Sequence, residues 1–523
     1  MNPFDYAVII AYLGGMLVLG FIFRHQRGER DYFLADGRLG WPALALSAMA
    51  TQLGAISFVS APAFVGLREG GGMVWLAYEF GVPLGIALVL ATVAPALYRS
   101  GVVTIYEFIE RRFGLGTRLA LSSTFQLSRG LATAVTIYAV AVILKAGFGV
   151  PFWQSLIIVG AGTALYSIMG GMRAVVIGDA IQMTIIVTAI LTCLAFGLAA
   201  LGGWSVLLDA VDPTRLTVLR TGSLGFSGDE FGLWPMIFGG IVLYASYYGC
   251  DQTQAQRLLA AKDYRAGRRV LLANGLLRGP ITLTYCLMGL VVGALAMRHP
   301  GFGAQVSASE PDRLIPLFIL TYLPHGLIGF VFVGILAAAM SSLSSAINSL
   351  AAVSVEDWCR LRGRPQEPGR TLVWARWAAI GWGAFTLAFS GLVARIAPTV
   401  IEAINKIGSL FYGPILAVFL LAVVSPRAGG RAAIAGLLGG LAVNLGLWLF
   451  FPQVFWFWWN AVGCLVALGI GGAVSRLAPA PRSMPDAASQ AAWRELCAPT
   501  GWALYAVFLA LLATGAAFGH LKG

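Results

Sequence analysis

The stretch Ala337-Ala338-Ala339-Met340-Ser341-Ser342-Leu343-Ser344-Ser345, followed by Asn348 and Ser349, lies inside the apolar run 324–353. Roughly 20 mostly apolar residues are enough for a helix to cross the hydrocarbon core of a bilayer. The run contains no Asp, Glu, Lys or Arg, so it predicts a transmembrane helix. On such a helix positions 338, 341, 342 and 345 share one face, which places a row of hydroxyl groups at bilayer depth.

Similar apolar runs occur along the chain both before and after this stretch. The chain of 523 residues is 58% hydrophobic and 11% charged, against about 25% charged residues in a typical soluble domain. We therefore predict an all-α integral membrane protein, with a single transmembrane domain over 1–523. The fourteen predicted spans are 4–23, 42–66, 73–98, 117–146, 151–170, 177–201, 231–250, 270–297, 324–353, 371–395, 399–424, 430–450, 457–476 and 500–518.

The basic residues between these spans predict their orientation, because cytoplasmic loops carry an excess of Lys and Arg. With the N-terminus outside, the inner connections hold 23 basic residues and the outer connections hold eight. The first apolar stretch lacks the basic region and cleavage site of a signal peptide. We predict a multi-pass protein of a bacterial-type inner membrane with both termini outside.

Charge and composition exclude other classes of protein. The formal net charge of +12 could suggest a nucleic-acid partner, but the charges lie in the loops and form no basic domain, so none is expected. The six cysteines show no CxxC spacing and the four histidines are scattered, which predicts neither a disulfide framework nor a metal cluster. The sequence shows no Gly-rich phosphate loop and no nucleophile paired with a base, so it does not predict an enzyme.

Polar groups at bilayer depth are costly and are candidates for function. The serine hydroxyls of 341–345 could supply the hard oxygen ligands that an alkali cation prefers. They could equally form a small-residue packing seam and donate hydrogen bonds to their own helix. Asp179, at the start of the span 177–201, could bind a cation or cap the N-terminus of its helix.

A second polar stretch is Ser47-Ala48-Met49-Ala50-Thr51-Gln52-Leu53-Gly54-Ala55-Ile56-Ser57-Phe58-Val59-Ser60-Ala61-Pro62. It is apolar enough to span a membrane, yet Gln52, Gly54 and Pro62 interrupt it. Interrupted helices free carbonyls and helix ends for ligands in transporters. A kinked but continuous helix is the alternative.

Two charged residues and three tyrosines complete the candidates. Glu79 and Arg129 fall inside spans and could neutralise each other, or Arg129 could face a cavity and hold a solute carboxylate with its planar fork. Tyr244, Tyr247 and Tyr248 could form a gate or stacking surface, or an interfacial aromatic belt.

Taken together, these residues resemble the sodium:solute symporter family, which includes bacterial proline, galactose and sialic acid transporters. The resemblance runs from the first span to about residue 425. Its motifs are Tyr166-Ser167-Ile168-Met169-Gly170-Gly171-Met172-Arg173-Ala174, Gln256-Arg257-Leu258-Leu259-Ala260-Ala261-Lys262-Asp263 and the serine-rich run 338–349.

The resemblance implies a leucine-transporter-like core of two inverted five-helix repeats, 42–201 and 231–424. An extra N-terminal helix, 4–23, precedes the core and the C-terminal helices of 430–518 follow it. Such repeats place ligands at their interface.

The resemblance also implies the site residues. One sodium ion would be bound by the carbonyls of Ala50, Leu53 and Ala338 and the hydroxyls of Ser341 and Ser342. A second sodium ion would be bound by Asp179, Ser341, Ser344 and Ser345. The solute would be bound by Gln52, Ser57, Tyr78, Glu79, Arg129 and Tyr247.

The expected function is sodium-coupled symport of a small polar organic solute, carboxylate-bearing or sugar-like, into the cell by alternating access. A proton-coupled or uncoupled facilitator of the same solute class is the alternative, because Asp179 and Glu79 could titrate. The expected partners are the solute, sodium ions and the lipid bilayer. Work as a monomer is compatible with the sequence, which leaves the oligomeric state open.

Overall fold

The fold is described from a computed structural model of the chain. It describes residues 1–26, 28–149, 151–306, 311–363, 368–391, 400–478 and 499–521. Several residues used in the orientation count lie outside these ranges: Arg27, Arg364, Arg395, Arg482, Arg494 and Lys522. The same holds for parts of the predicted span 371–395, the first residue of the span 399–424 and part of the predicted outer loop 298–323.

The described residues form helices, with one isolated β-bridge between Leu39 and Ala261. Two 3₁₀ segments, Ala35–Gly37 and Met73–Glu79, lie in the first part of the chain, and a third is Pro311–Arg313. The α-helices are α1 Pro3–Ile22, α2 Glu29–Leu34, α3 Trp41–Gln52, α4 Ala55–Gly66, α5 Gly81–Ala91, α6 Val93–Ser100, α7 Ile105–Phe113, α8 Leu115–Phe148, α9 Phe152–Leu201, α10 Trp204–Ala210, α11 Pro213–Leu216, α12 Leu233–Cys250, α13 Gln252–Leu259, α14 Tyr264–Arg298, α15 Pro300–Gly303, α16 Leu314–Tyr322, α17 Leu327–Arg362, α18 Pro368–Ser390, α19 Val400–Val424, α20 Gly430–Phe450, α21 Phe457–Leu477 and α22 Pro499–Gly519.

The all-helical prediction is confirmed, but the count of spans differs from fourteen. Among the described residues, 11 helices are long and apolar enough to cross a membrane, or 12 if α3 and α4 together form one bent crossing. The difference arises in two places. The predicted spans 151–170 and 177–201 follow each other in α9 through a kink at Gly171 and are counted as one helix. The span 231–250 corresponds to α12, which has 18 residues, three of them tyrosines, and is not apolar enough to be counted.

Helix α9 is kinked at Gly171. Its backbone has φ 56° and ψ −156°, a left-handed conformation that costs little only for glycine. A Cβ atom at this position would lie 2.9 Å from the ring of Tyr32. Gly171 therefore lets the two halves of α9 run in different directions.

The predicted interruption of 47–62 is confirmed. Helix α3 ends at Gln52, Leu53 has φ −84° and ψ 69°, and α4 begins at Ala55. The two helices meet at an angle of 54°. Pro62 lies inside α4 without breaking it, so the break is set at Leu53 and Gly54.

Helix α17 lies at the centre of the fold and packs against α9, α8 and α3. Its central segment is almost wholly buried. Helices α1, α18, α20 and α22 lie at the periphery, where large apolar side chains such as Trp377, Leu449 and Trp502 are exposed. An outer surface of this composition suits contact with lipid rather than water.

Two arginines counted with the inner connections are instead buried. The side chain of Arg118 is 0% exposed and that of Arg257 is 1% exposed. Arg118 forms ion pairs with Glu110 at 2.7 Å and with Asp357 at 2.8 Å. Neither arginine therefore serves as a loop charge, and the orientation of the chain stays a prediction.

Candidate functional site

The break between α3 and α4 faces the serine-rich part of α17. The Ser341 hydroxyl donates to the carbonyl of Ala50 at 2.9 Å and to that of Ala338 at 3.1 Å. The Ser342 hydroxyl donates to the carbonyl of Thr51 at 2.9 Å and to that of Ala338 at 3.3 Å. The hydroxyls therefore satisfy their own helix and at the same time contact the end of α3.

The atoms at this junction have the chemistry of an alkali-cation site. The oxygens of Ala50, Ala338, Ser341 and Ser342 converge, and the part of α17 that carries them is buried. Leu53, the remaining predicted ligand, is the non-helical residue at the break, where a carbonyl is released from the helical hydrogen-bond ladder. Oxygen atoms, including those of carbonyl groups, are the ligands that hard cations prefer.

Asp179 lies in the interior of α9 and is 0% exposed, so the alternative that it caps a helix N-terminus is wrong. Its Oδ2 atom accepts a hydrogen bond from Ser47 at 2.6 Å and one from Ser345 at 3.3 Å. Ser344, also predicted here, donates to the carbonyl of Ser341 at 3.1 Å.

The same carboxylate has an ionic partner that sequence reasoning missed. Arg257 Nη2 lies 3.2 Å from Asp179 Oδ2. The guanidinium also donates to Ser47 and Thr51 at 3.2 Å each and to Ser345. Sequence reasoning missed it because residues 251–269 lie between two predicted spans, whereas residues 252–259 form the buried helix α13.

A cavity of about 160 Å³ adjoins the junction of α3, α4 and α17. Five of the six predicted solute-binding residues line it: Gln52, Ser57, Tyr78, Arg129 and Tyr247. Thr51 and Ser342 also line it, so the cavity and the candidate cation site share a wall.

Glu79 is the predicted solute-binding residue that is not among the lining residues. It is 0% exposed, and its two carboxylate oxygens both accept from Arg278 Nε at 3.1 Å. Thr282 donates to the same carboxylate at 2.9 Å. Arg278 itself lines the cavity. Glu79 therefore acts as the counterion that positions a cavity-lining arginine.

The structure separates the two charges that could have paired with each other. Arg129 pairs with Asp251, at 3.5 Å, and its guanidinium lies 5.7 Å from the ring centre of Tyr247. The hypothesis of an Arg129–Glu79 pair is therefore wrong. Arg129 does line the cavity, and its binding of a solute carboxylate stays a prediction.

The three tyrosines of α12 form part of the same wall. Tyr244, Tyr247 and Tyr248 are all buried, so the interpretation as an interfacial aromatic belt is wrong. Tyr244 and Tyr247 line the cavity, and Tyr248 donates its hydroxyl hydrogen to the Gln52 side chain.

Loss of the Glu79 carboxylate is expected to destabilise the fold. Glu79→Gln leaves the buried Arg278 without its counterion, and breaking a buried pair on one side costs about 3–5 kcal/mol. Denaturant unfolding in detergent measures this loss. The matched control is Glu230→Gln, which breaks the partly exposed pair with Arg68 and is expected to cost about 0–1 kcal/mol. Equal stability of the two variants would contradict the assignment.

Other cavity residues escaped the sequence analysis for identifiable reasons. Arg278 lies within the predicted span 270–297, so the argument that selected Arg129 would have selected it too. Tyr285, Asn405 and Tyr412 also line the cavity, but isolated polar residues in apolar spans carry no periodic signal. The hydrogen bond from Tyr78 to Asn405 Oδ1, at 2.7 Å, joins residues far apart in the chain.

The sequence profile of the sodium:solute symporter family matches residues 32–440, well over half of the chain. The chain belongs to the sodium:solute symporter family. It is a multi-pass membrane transporter, and the members of this family are transporters rather than enzymes.

The relatives of this sodium:solute symporter family member are sodium-coupled. It is 29% identical over 476 residues to a putative sodium-dependent multivitamin transporter of Drosophila melanogaster, covering 87% of this chain and 76% of that protein. It is 28% identical over 455 residues to the human sodium/iodide cotransporter, covering 85% and 69%. It is 27% identical over 452 residues to the human sodium-coupled monocarboxylate transporter 1, covering 84% and 72%.

Solved structures support the fold. A substrate-bound, outward-open Na⁺-coupled sialic acid symporter superposes with a TM-score of 0.83 at 22% identity, covering 92% of this chain and 100% of that chain. A nucleobase-cation-symport-1 family transporter, MHP1, superposes with a TM-score of 0.53 at 12% identity, covering 89% and 99%.

Proposed function

We propose that this chain is a symporter that moves a small organic anion, a short monocarboxylate, into the cell together with sodium by alternating access. The observation that carries the choice of solute is the charge of the cavity. Its lining includes two guanidinium groups, from Arg129 and Arg278, and no Asp or Glu among the described residues. A planar guanidinium can hold a carboxylate through two parallel hydrogen bonds.

The size of the cavity supports a small solute. Its volume of about 160 Å³ lies below the roughly 300–1,000 Å³ of pockets that hold drug-sized ligands. The relatives carry solutes that include a monocarboxylate and iodide. A sugar-like solute fits this lining less well, because it would leave the planar fork of Arg129 unused, and the contact of Arg129 with Asp251 is long, at 3.5 Å.

We assign sodium to the junction of the α3–α4 break with α17. The proposed ligands are the carbonyls of Ala50, Leu53 and Ala338 and the hydroxyls of Ser341 and Ser342. The hydrogen bonds between these hydroxyls and the carbonyls of α3 support the assignment, because a cation between the helices would use the same oxygens. The second sodium ion predicted at Asp179, Ser341, Ser344 and Ser345 is not part of this proposal.

We also propose fourteen crossings, with both termini outside a bacterial-type inner membrane. Helix α9 supports two of them: the candidate span Val159–Leu201 has 43 residues, roughly 65 Å of helix, which is about twice the hydrocarbon thickness. Two crossings that meet near Gly171 would fit that length. Helix α12 and the bent α3–α4 pair supply the remaining crossings.

Two helix breaks support the inverted repeats 42–201 and 231–424. The first helix of the first repeat breaks at Leu53 and Gly54, and the first helix of the second repeat breaks at Asp251, between α12 and α13. Breaks at corresponding positions of two repeats mark the binding site in transporters of this kind. Residues 4–23 and 430–518 would then flank the core, and the proposed working unit is a monomer.

Uptake by proteoliposomes tests the proposal. Purified protein should take up radiolabelled lactate against its gradient when sodium is imposed outside, and not when potassium replaces sodium. Uptake driven by a pH gradient alone would favour the proton-coupled alternative, and equilibration without accumulation would favour an uncoupled facilitator. Uptake of glucose but not of lactate under a sodium gradient would overturn the choice of an anionic solute.

A further inference from the structure

Two of the four residues predicted to bind a second sodium ion, Asp179 and Ser345, contact an arginine of the chain, Arg257. We call Ser47, Thr51, Asp179, Arg257 and Ser345 the Asp179 cluster. Arg257 contacts every other member of it: its guanidinium reaches the carboxylate at 3.2 Å, two hydroxyls at 3.2 Å, and Ser345. The acid and the arginine are 0% and 1% exposed, so water does not screen this contact.

The side-chain oxygens of this cluster, other than Asp179 Oδ1, are already engaged in hydrogen bonds. Ser47 and Ser345 both contact Asp179 Oδ2 as well as Arg257, and Thr51 contacts Ser345 at 2.8 Å. Asp179 Oδ1 is buried and has no hydrogen-bond partner among the described residues. It could supply one ligand, whereas a hard cation needs several oxygens.

The charge balance of the Asp179 cluster also disfavours a second sodium ion there. An arginine side chain stays protonated in proteins, so Asp179 and Arg257 together are neutral. A sodium ion added to this cluster would place a second positive charge on one buried carboxylate, and like charges in such a site repel strongly. The hydrogen bonds at the junction of Ala50, Ala338, Ser341 and Ser342 join neutral hydroxyl and carbonyl groups.

We propose that Arg257 is the resident cation of the Asp179 cluster and that it excludes a second sodium ion, so that one sodium ion accompanies each solute. The inference rests on the proposed function and fixes its stoichiometry. Sodium could enter the cluster only if the guanidinium withdrew, and Arg257 is held by α13, which begins directly after the break at Asp251.

Helix α13 is itself tied to the core, which keeps the arginine in place. Thr253 contacts the Ser349 hydroxyl at 2.9 Å, and Gln256 donates to Asn348 Oδ1 at 2.9 Å. The Gln254 side chain donates to the Tyr247 hydroxyl at 3.0 Å. Withdrawal of Arg257 therefore requires a displacement of the whole helix.

One sodium ion per monocarboxylate has a measurable consequence. One cation and one monovalent anion carry no net charge, so transport would be electroneutral and insensitive to membrane potential. Two sodium ions per anion would move one net positive charge and would respond to the potential.

The experiment counts bound sodium. Equilibrium binding of ²²Na⁺ to the purified full chain, without solute, should saturate at one ion per protein. The Arg257→Gln variant should saturate at two, because the carboxylate and its hydroxyls are then released. The Arg257→Lys variant keeps the positive charge and is the matched control, with one ion expected.

The outcomes separate the inference from the proposed function. Two ions per wild-type protein would overturn the inference while leaving sodium symport intact, and this count needs no variant to fold. One ion in a folded Arg257→Gln variant would also overturn it. No saturable sodium binding to the wild-type chain would overturn the proposed function, and the inference with it.

Discussion

Replacing Arg129 by glutamine is expected to reduce the apparent affinity for lactate by roughly 30-fold or more. Arg129 lines the cavity, and its contact with Asp251 is long, at 3.5 Å. Truncating one partner of a desolvated charge pair typically costs about 2–5 kcal/mol, and each 1.4 kcal/mol is a factor of about ten. The measurement is the KM of sodium-driven lactate uptake into proteoliposomes.

Two variants control this experiment. Arg129→Lys keeps the charge but loses the planar fork. Its KM for lactate should lie between the KM of the wild type and that of Arg129→Gln. Arg68→Gln removes a partly exposed arginine that is not among the cavity-lining residues and should leave the KM unchanged. A wild-type KM in Arg129→Gln would show that this arginine does not bind the solute.

Replacing Ser341 by alanine is expected to weaken sodium binding by roughly 10- to 150-fold. The variant removes a hydroxyl that bridges the carbonyls of Ala50 and Ala338. A polar contact to a charged group is worth about 1.5–3 kcal/mol, which corresponds to this range. The measurement is the sodium concentration that gives half-maximal lactate uptake, with the solute at saturation.

Ser354→Ala is the matched control on the same helix. Ser354 is partly buried and donates to Gln126 Oε1 at 2.6 Å, but it is not part of the junction. Its removal should leave the sodium dependence of uptake in place. An equal loss in both variants would mean that any serine inside the fold on α17 is needed for packing, and the sodium site at the junction would then be unsupported.

The features that sequence reasoning predicted are those with a local physical cause. The apolar runs are a property of single spans, and the Gln52–Gly54 interruption is a property of a single helix turn. In the structure α3 ends at Gln52 and α4 begins at Ala55, as expected. The face shared by Ala338, Ser341 and Ser342 follows from helix periodicity alone. These rules are sufficient to find the broken helix and the hydroxyl row.

The features that were missed depend on which helices pack together. The sequence allows Glu79 to pair with either Arg129 or Arg278. The pair with Arg278 forms because α14 packs against the 3₁₀ segment Met73–Glu79. Burial of Arg257 depends on α13 folding back into the core instead of forming a loop. A charge pattern cannot separate a loop arginine from one that pairs with a buried carboxylate.

The division of α9 shows a limit of a different kind. Hydropathy places two spans, 151–170 and 177–201, where the backbone passes from one helix to the next through a kink at Gly171. A single glycine with positive φ can redirect a helix without an intervening polar loop. Counting crossings from apolar runs and counting them from helices therefore gives different totals for the same segment.

The central claim is that sodium binds where the broken helix meets the serine helix. A high-resolution map of the protein prepared in sodium tests it most directly. We predict density for one ion within coordination distance of the carbonyls of Ala50 and Ala338 and the hydroxyls of Ser341 and Ser342, absent when potassium replaces sodium. The account would be contradicted if the map of the sodium-bound sample showed the ion elsewhere and these four groups bonded only to one another.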